Sequence, residues 1–272
     1  MTAATMPAPP AQSGASGPRG PVPWRRMAWV TWRQHRAALV GAIGLYAVLA
    51  AVMLIAGLKI HRDYASLLAC HPLTSSACRA LSNSLGSGDW HIGNAVNIIL
   101  QLAPMLIGAF VGVPVLAREL ETGTFRYAWT QGIGRDRWTI AKLTALAVVF
   151  AVGAGALSQL NHWFYQPFAQ QQGMTQFSAA VFDSQGIALA AWTLAGFTLG
   201  AFFGMLIRRV VPAMVATIVA YAGLDLVVWQ YLRPHYPVGG FWPAQFIEAG
   251  WLLALSVLLG AATVWLARHR AG

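Results

Sequence analysis

Several stretches of about 20 residues, each nearly free of charge, leave this chain only one solvent in which to fold. A helix rises about 1.5 Å per residue, so roughly 20 apolar residues cover the ~30 Å hydrocarbon core of a bilayer. Such stretches fall at about 37–58, 94–117, 143–165, 184–207, 210–232 and 248–267. Hydrophobic residues make up 57% of the chain and charged residues 10%, more apolar matter than the roughly 45–50% of a soluble domain. The expected fold class is an all-α membrane protein, a six-transmembrane-helix bundle. An N-terminal interfacial helix and a cytoplasmic helix between spans two and three are expected to accompany it.

The formal net charge of +10 does not point to nucleic acid. Nucleic-acid binders gather their basic residues on one continuous exposed face, and here the apolar runs scatter them. The basic residues report orientation instead. Of the 18 Lys and Arg residues, all but Lys59, Arg62, Arg79 and Arg233 lie on the side that carries both termini. By the positive-inside rule both ends of the chain are expected in the cytoplasm. Tryptophans agree, with Trp90, Trp163, Trp242 and Trp251 near outer ends and Trp29, Trp32, Trp138 and Trp265 near inner ends.

Residues 1–23 are rich in Pro, Ala, Gly and Ser and are expected to form a disordered cytoplasmic tail, because they hold too little apolar surface to offset chain entropy. No apolar core of the kind a secretory signal needs precedes Trp24, so the amino terminus is expected to be retained. Residues 24–272 are expected to form the transmembrane domain. From Trp24 to Arg36, Arg25, Arg26, Arg33 and Arg36 share one helical side, with Trp24, Met27, Ala28 and Trp32 on the other. That pattern suits a helix lying in the membrane interface and equally suits a basic flank of the first span.

Cys70 and Cys78 share the loop between spans one and two. Outside the cell, disulfides persist, and a bridge there is expected over free thiols. His61, His71 and His91 show no regular ligand spacing, so no metal site is expected. Asp225 is the one acid deep within an expected span. An ionisable group in hydrocarbon is costly and invites a functional reading. With no basic residue deep in another span, a structural hydrogen bond to a neighbouring helix is expected rather than a proton relay. Gly196, Gly200 and Gly204, and Gly108 and Gly112, follow the four-residue period of close helix packing. Pro104, Pro114 and Pro212 are expected to kink or end helices. Neither of the two lysines follows a glycine, so there is no P-loop, and H-E-x-x-H is also absent.

The segment from Arg118 to Lys142 is the most informative. It holds Glu119, Glu121 and Asp136 among five basic residues and four aromatics. A loop that only fixes topology needs positive charge alone. Thr122 or Thr124 could cap a short helix beginning near Phe125, and Gly132 or Gly134 could end it. The strings Arg118-Glu-Leu-Glu-Thr-Gly-Thr124, Thr130-Gln-Gly-Ile133 and Arg135-Asp-Arg-Trp138, followed by Lys142, resemble the signature of the ABC-2 type transporter permeases. Thr31-Trp-Arg-Gln-His-Arg36 and the cysteine pair make it similar to actinobacterial members.

The resemblance implies a permease without catalytic residues or bound cofactor of its own, working as an exporter of drugs, lipids or peptides. ATP and Mg would be held by a separate cytoplasmic ATPase homodimer, and a second copy or a related permease would complete the assembly. It implies that Arg118, Glu119, Glu121, Gly123, Thr124, Phe125, Arg126, Arg135 and Arg137 couple to that ATPase, and that re-entrant helices lie near Gly239 to Ala249. The rival expectation, an ion-coupled carrier or a membrane enzyme, needs an intramembrane titratable cluster that Asp225 alone does not supply.

Overall fold

A computed structural model describes residues 24–72, 75–122, 135–172, 179–236 and 239–270. Regular structure among them is entirely helical: α1 (Trp24–Leu68), α2 (Ser76–Asn83), α3 (Asp89–Ile107), α4 (Val113–Thr122), α5 (Arg135–Gln172), α6 (Ala179–Phe182), α7 (Ala188–Ile207), α8 (Val210–Val227) and α9 (Phe241–Arg270). π-helical turns at Ser84–Gly88 and Gly108–Gly112 join α2, α3 and α4 into one rod, and a third at Val228–Leu232 prolongs α8. Six helical stretches are long and apolar enough to cross a membrane: Leu39–Leu68, Ser76–Thr122, Thr139–Gln170, Ala188–Ile207, Val210–His235 and Phe241–His269. Each of the six expected runs falls on one of them.

Two core clusters fix the up-and-down order. Leu39, Val115, Leu116, Leu143, Met205 and Leu266 pack together, from the start of the α1 span, the first turn of α4 towards the end of span two, the start of α5 and the ends of α7 and α9. Both ends of the described chain therefore share one face, called proximal below. Ile60, Leu85, Phe164, Phe168, Val181 and Leu189 form the distal cluster. Between them, α7 packs against α3, α4, α5, α8 and α9 and is the axis of the bundle.

The glycine period explains how α7 reaches the centre. A Cβ on Gly204 would stand 2.6 Å from the Val113 carbonyl oxygen, and one on Gly196 or Gly200 would come closer still to the carbonyls of Pro104 and Gly108. Spans two and four of the same chain are thus in backbone contact, which only glycine permits. Pro104 lies inside α3 and removes one helix donor, and the π turn at Gly108–Gly112 follows directly. Pro212 sits in the first turn of α8, where a missing N–H costs little, whereas Pro114 lies inside the rod of span two, two residues after the π turn.

Three expectations change. The basic segment from Trp24 to Arg36 and the first span are one continuous helix of 45 residues. The distal excursion between spans one and two is mostly helical, since α1 runs to Leu68 and the Ser75 hydroxyl accepts the Cys78 N–H at 3.2 Å to cap α2. Cys70 and Cys78 are bonded across the turn between these helices, with Cα atoms 5.8 Å apart. The re-entrant helices implied near Gly239 to Ala249 are absent from the described residues there. Gly240, at φ +147°, turns the chain directly into α9, which continues unbroken to Arg270. Pro243 lies in its first turn and so does not interrupt it.

Candidate functional site

At the proximal face the acids of the Arg-Glu-x-Glu string fasten span two to two other spans. Lys142, in the third turn of α5, has only 1% of its side chain exposed. An ammonium so placed needs a counter-charge and acceptors. Its Nζ donates to Glu119 Oε1 at 2.6 Å and to the Val115 carbonyl at 2.9 Å. Two residues further on, Glu121 Oε2 accepts the backbone N–H of Val210 at 3.4 Å. Val210 opens α8, and a carboxylate is favoured at a helix N-terminus by its unpaired N–H groups and dipole. The Thr122 hydroxyl donates to the Arg118 carbonyl at 2.8 Å.

Glu119, expected from the resemblance to couple to a partner, has its carboxylate paired with Lys142. It turns inward because Lys142 is buried within its reach. Arg118, Glu121 and Arg137 are exposed. Gly123, Thr124, Phe125 and Arg126 lie outside the described residues, as does the side chain of Arg135.

A second polar assembly lies at the distal face. The turn between α6 and α7 is tied to three helices. Ser184 Oγ donates to Asn97 Oδ1 on α3, Asn161 Nδ2 on α5 donates to Ser184 Oγ at 3.1 Å, and Gln245 Nε2 on α9 donates to the Phe182 carbonyl at 2.8 Å. Gln245 Oε1 also accepts the N–H groups of Ile187 and Ala188, capping α7. Gly186 has φ +65°, and a Cβ there would stand 2.7 Å from that same oxygen.

This turn holds Asp183 against Arg233. The guanidinium pairs with Asp183 and with Glu248 Oε1 at 2.8 Å, its Nε reaches Glu248 Oε2 at 3.2 Å, and it lies over the Phe182 ring at 4.5 Å. Glu248 is fully buried and also accepts from Trp192 Nε1 at 2.9 Å and the Tyr236 hydroxyl at 3.1 Å. Burial pushes the Asp183 carboxyl up to about 7, with the Glu248 carboxylate adding to the rise against the pull of Arg233. Burial also pushes the Tyr236 hydroxyl up to about 12.

Beside this cluster a cleft of about 420 Å³ opens between spans two, four and five. Gln101, Met105, Trp192, Tyr221 and Trp229 line it with Asp183 and Asp225. The hydrogen bond expected from Asp225 to a neighbouring helix is not made to any described residue, because its side chain faces the cleft rather than a packed helix. Nor is Asp225 the one acid deep in the bundle, since Glu248 lies eight residues into α9. Among the described residues, no group of three or more His, Cys, Asp or Glu side chains could hold a metal ion.

A bundle of six membrane-spanning helices, locked by buried ion pairs at both faces, defines a multi-pass membrane protein. The profile of the family described as ABC-2 membrane transporter related matches residues 43–233, well over half the chain. The chain belongs to that family and is a membrane permease component of an ABC transporter. No curated protein and no solved structure matches it.

Proposed function

We propose that this chain is the permease half of an ATP-driven exporter, with both termini in the cytoplasm. A separately encoded ATPase homodimer, holding ATP and Mg, would dock on the segment between α4 and α5, and a second copy of the chain or a related permease would complete the membrane part. Arg118, Arg126, Arg135 and Arg137, with Gly123, Thr124 and Phe125, would supply the docking surface. The permease would perform no covalent chemistry and bind no cofactor. It would contribute two bundle arrangements of different affinity for the partner's nucleotide states.

One observation carries this reading: the root of the proposed docking segment is the point where Glu119 holds span three and Glu121 holds span five. A force applied there acts on several spans at once. Interfacial positions outside the bundle would provide the charged pairing that selects a partner.

The test is a full-length chain purified with its ATPase and reconstituted in liposomes. Phe125→Ala with Arg126→Ala should leave insertion intact and abolish ATP-dependent substrate movement. Transport that survives both this double substitution and removal of ATP, but collapses with the proton or sodium gradient, would establish the ion-coupled carrier instead.

A further inference from the structure

We propose that the distal cleft is a binding site for an organic cation with aromatic or apolar bulk, which names the cargo class for the exporter reading above and rests on it. The lining contains two carboxylates and no basic residue. The nearby cation is Arg233, and its guanidinium is already engaged by both Asp183 and Glu248. Asp183 and Glu248 thus share a single fixed positive charge, and Asp225, which lines the same cleft, makes no hydrogen bond or ion pair with any described residue. Asp225 is exposed on the open side of the cleft, on a helix long and apolar enough to cross a membrane, and a carboxylate placed there favours a mobile cation, because its surroundings offer few polar partners.

The walls select the kind of cation. Trp192, Tyr221 and Trp229 line the same space as Asp225, and Trp192 and Tyr221 meet edge to face with centroids 5.5 Å apart. Aromatic faces attract cations and offer apolar area. Trp192 is held in place by its bond to Glu248 and by a perpendicular contact with Trp251 at 6.1 Å. A small inorganic ion would leave these walls unused, and about 420 Å³ lies in the range of drug-sized ligand sites. Met105 and Gln101 add a deformable surface and an amide.

The probe is tetraphenylphosphonium, binding to the full-length chain in nanodiscs of phosphatidylglycerol without its ATPase. Saturable binding is expected. Asp225→Asn should weaken it by about tenfold, the scale of one charge contact in a partly dry site, while Asp225→Glu should retain most of it. A neutral tetraphenyl analogue of the same shape should bind at least as weakly as the cation binds the Asn variant. Equal affinity of the cation for the native chain and Asp225→Asn overturns the proposal, as does equal affinity of cation and neutral analogue. If phosphatidylethanolamine in the disc displaces the probe competitively, the cleft takes a lipid ammonium and the free-cation assignment is overturned. ATPase docking is scored separately with the Phe125 and Arg126 substitutions, so failure of cation binding and failure of the exporter reading give different results.

Discussion

Replacing Glu119 by Gln should cost this protein about 3 kcal/mol of stability, because it strands a buried ammonium. Lys142 has 1% of its side chain exposed and Glu119 16%. Removing one member of a buried pair costs about 3–5 kcal/mol, and the small exposure of Glu119 argues for the lower end. The Val115 carbonyl would remain as an acceptor at 2.9 Å, but a neutral oxygen does not offset a full charge. Lys142→Met alone should cost a similar amount by leaving the carboxylate. The double variant Glu119→Leu, Lys142→Met should fall within about 1 kcal/mol of the native protein, since an apolar pair of similar volume often replaces a buried ion pair without loss. Unfolding in mixed detergent micelles, followed by circular dichroism across a dodecyl sulfate titration, gives the four corners of the cycle. Single variants that each lose less than about 0.5 kcal/mol, or a double variant that loses their sum, would refute a structural pair.

Quantitative thiol labelling of the denatured, unreduced chain should find no reactive sulfur at Cys70 or Cys78, and two labels per chain would refute the bridge. Gly200→Val should disrupt the crossing of spans two and four and abolish a folded yield, whereas Gly155→Ala, with open space around it, should change stability by less than about 1 kcal/mol. Asp183 keeps its proton in the folded state up to about 7, above its ordinary value of 3.8. The unfolded chain therefore binds fewer protons between these values, and folding stability should fall as pH rises from about 4 to 7 and then level off. Asp183→Asn should flatten that slope, which urea or dodecyl sulfate titrations at fixed pH values would reveal. Arg233→Gln should be more damaging than Arg208→Gln, because the first leaves the fully buried Glu248 without a counter-charge and Asp183 without its partner, and the second lies at an exposed helix end.

The spans are legible because the bilayer imposes a length that composition alone satisfies, and the alternating ends follow from an even number of crossings. The glycine period at 196, 200 and 204 is legible as close packing for the same reason, but the sequence does not say that the partner is span two of the same chain. The polar contacts are where sequence reading falls short. Glu119 reads as a surface acid because its neighbours Arg118 and Glu121 are solvent-facing residues, and the burial of Lys142 depends on how far α5 tilts into the bundle. One signal was available: with only two lysines in the chain, one at the start of an apolar run calls for a carboxylate nearby. Asp183, Arg233 and Glu248 stand at three separate span ends, so no local pattern joins them. Their meeting depends on the turn held by Ser184, Gly186 and Gln245.

ATP hydrolysis by the chain's own complex tests the exporter reading most directly. The chain, tagged at Gly272 and purified from its native membrane, should carry an ATPase whose vanadate-sensitive turnover of MgATP drives substrate into inside-out vesicles. Exchange of Phe125 and Arg126 for Ala should uncouple the two. A chain that moves substrate with no ATPase present, and without dependence on ATP, would contradict it.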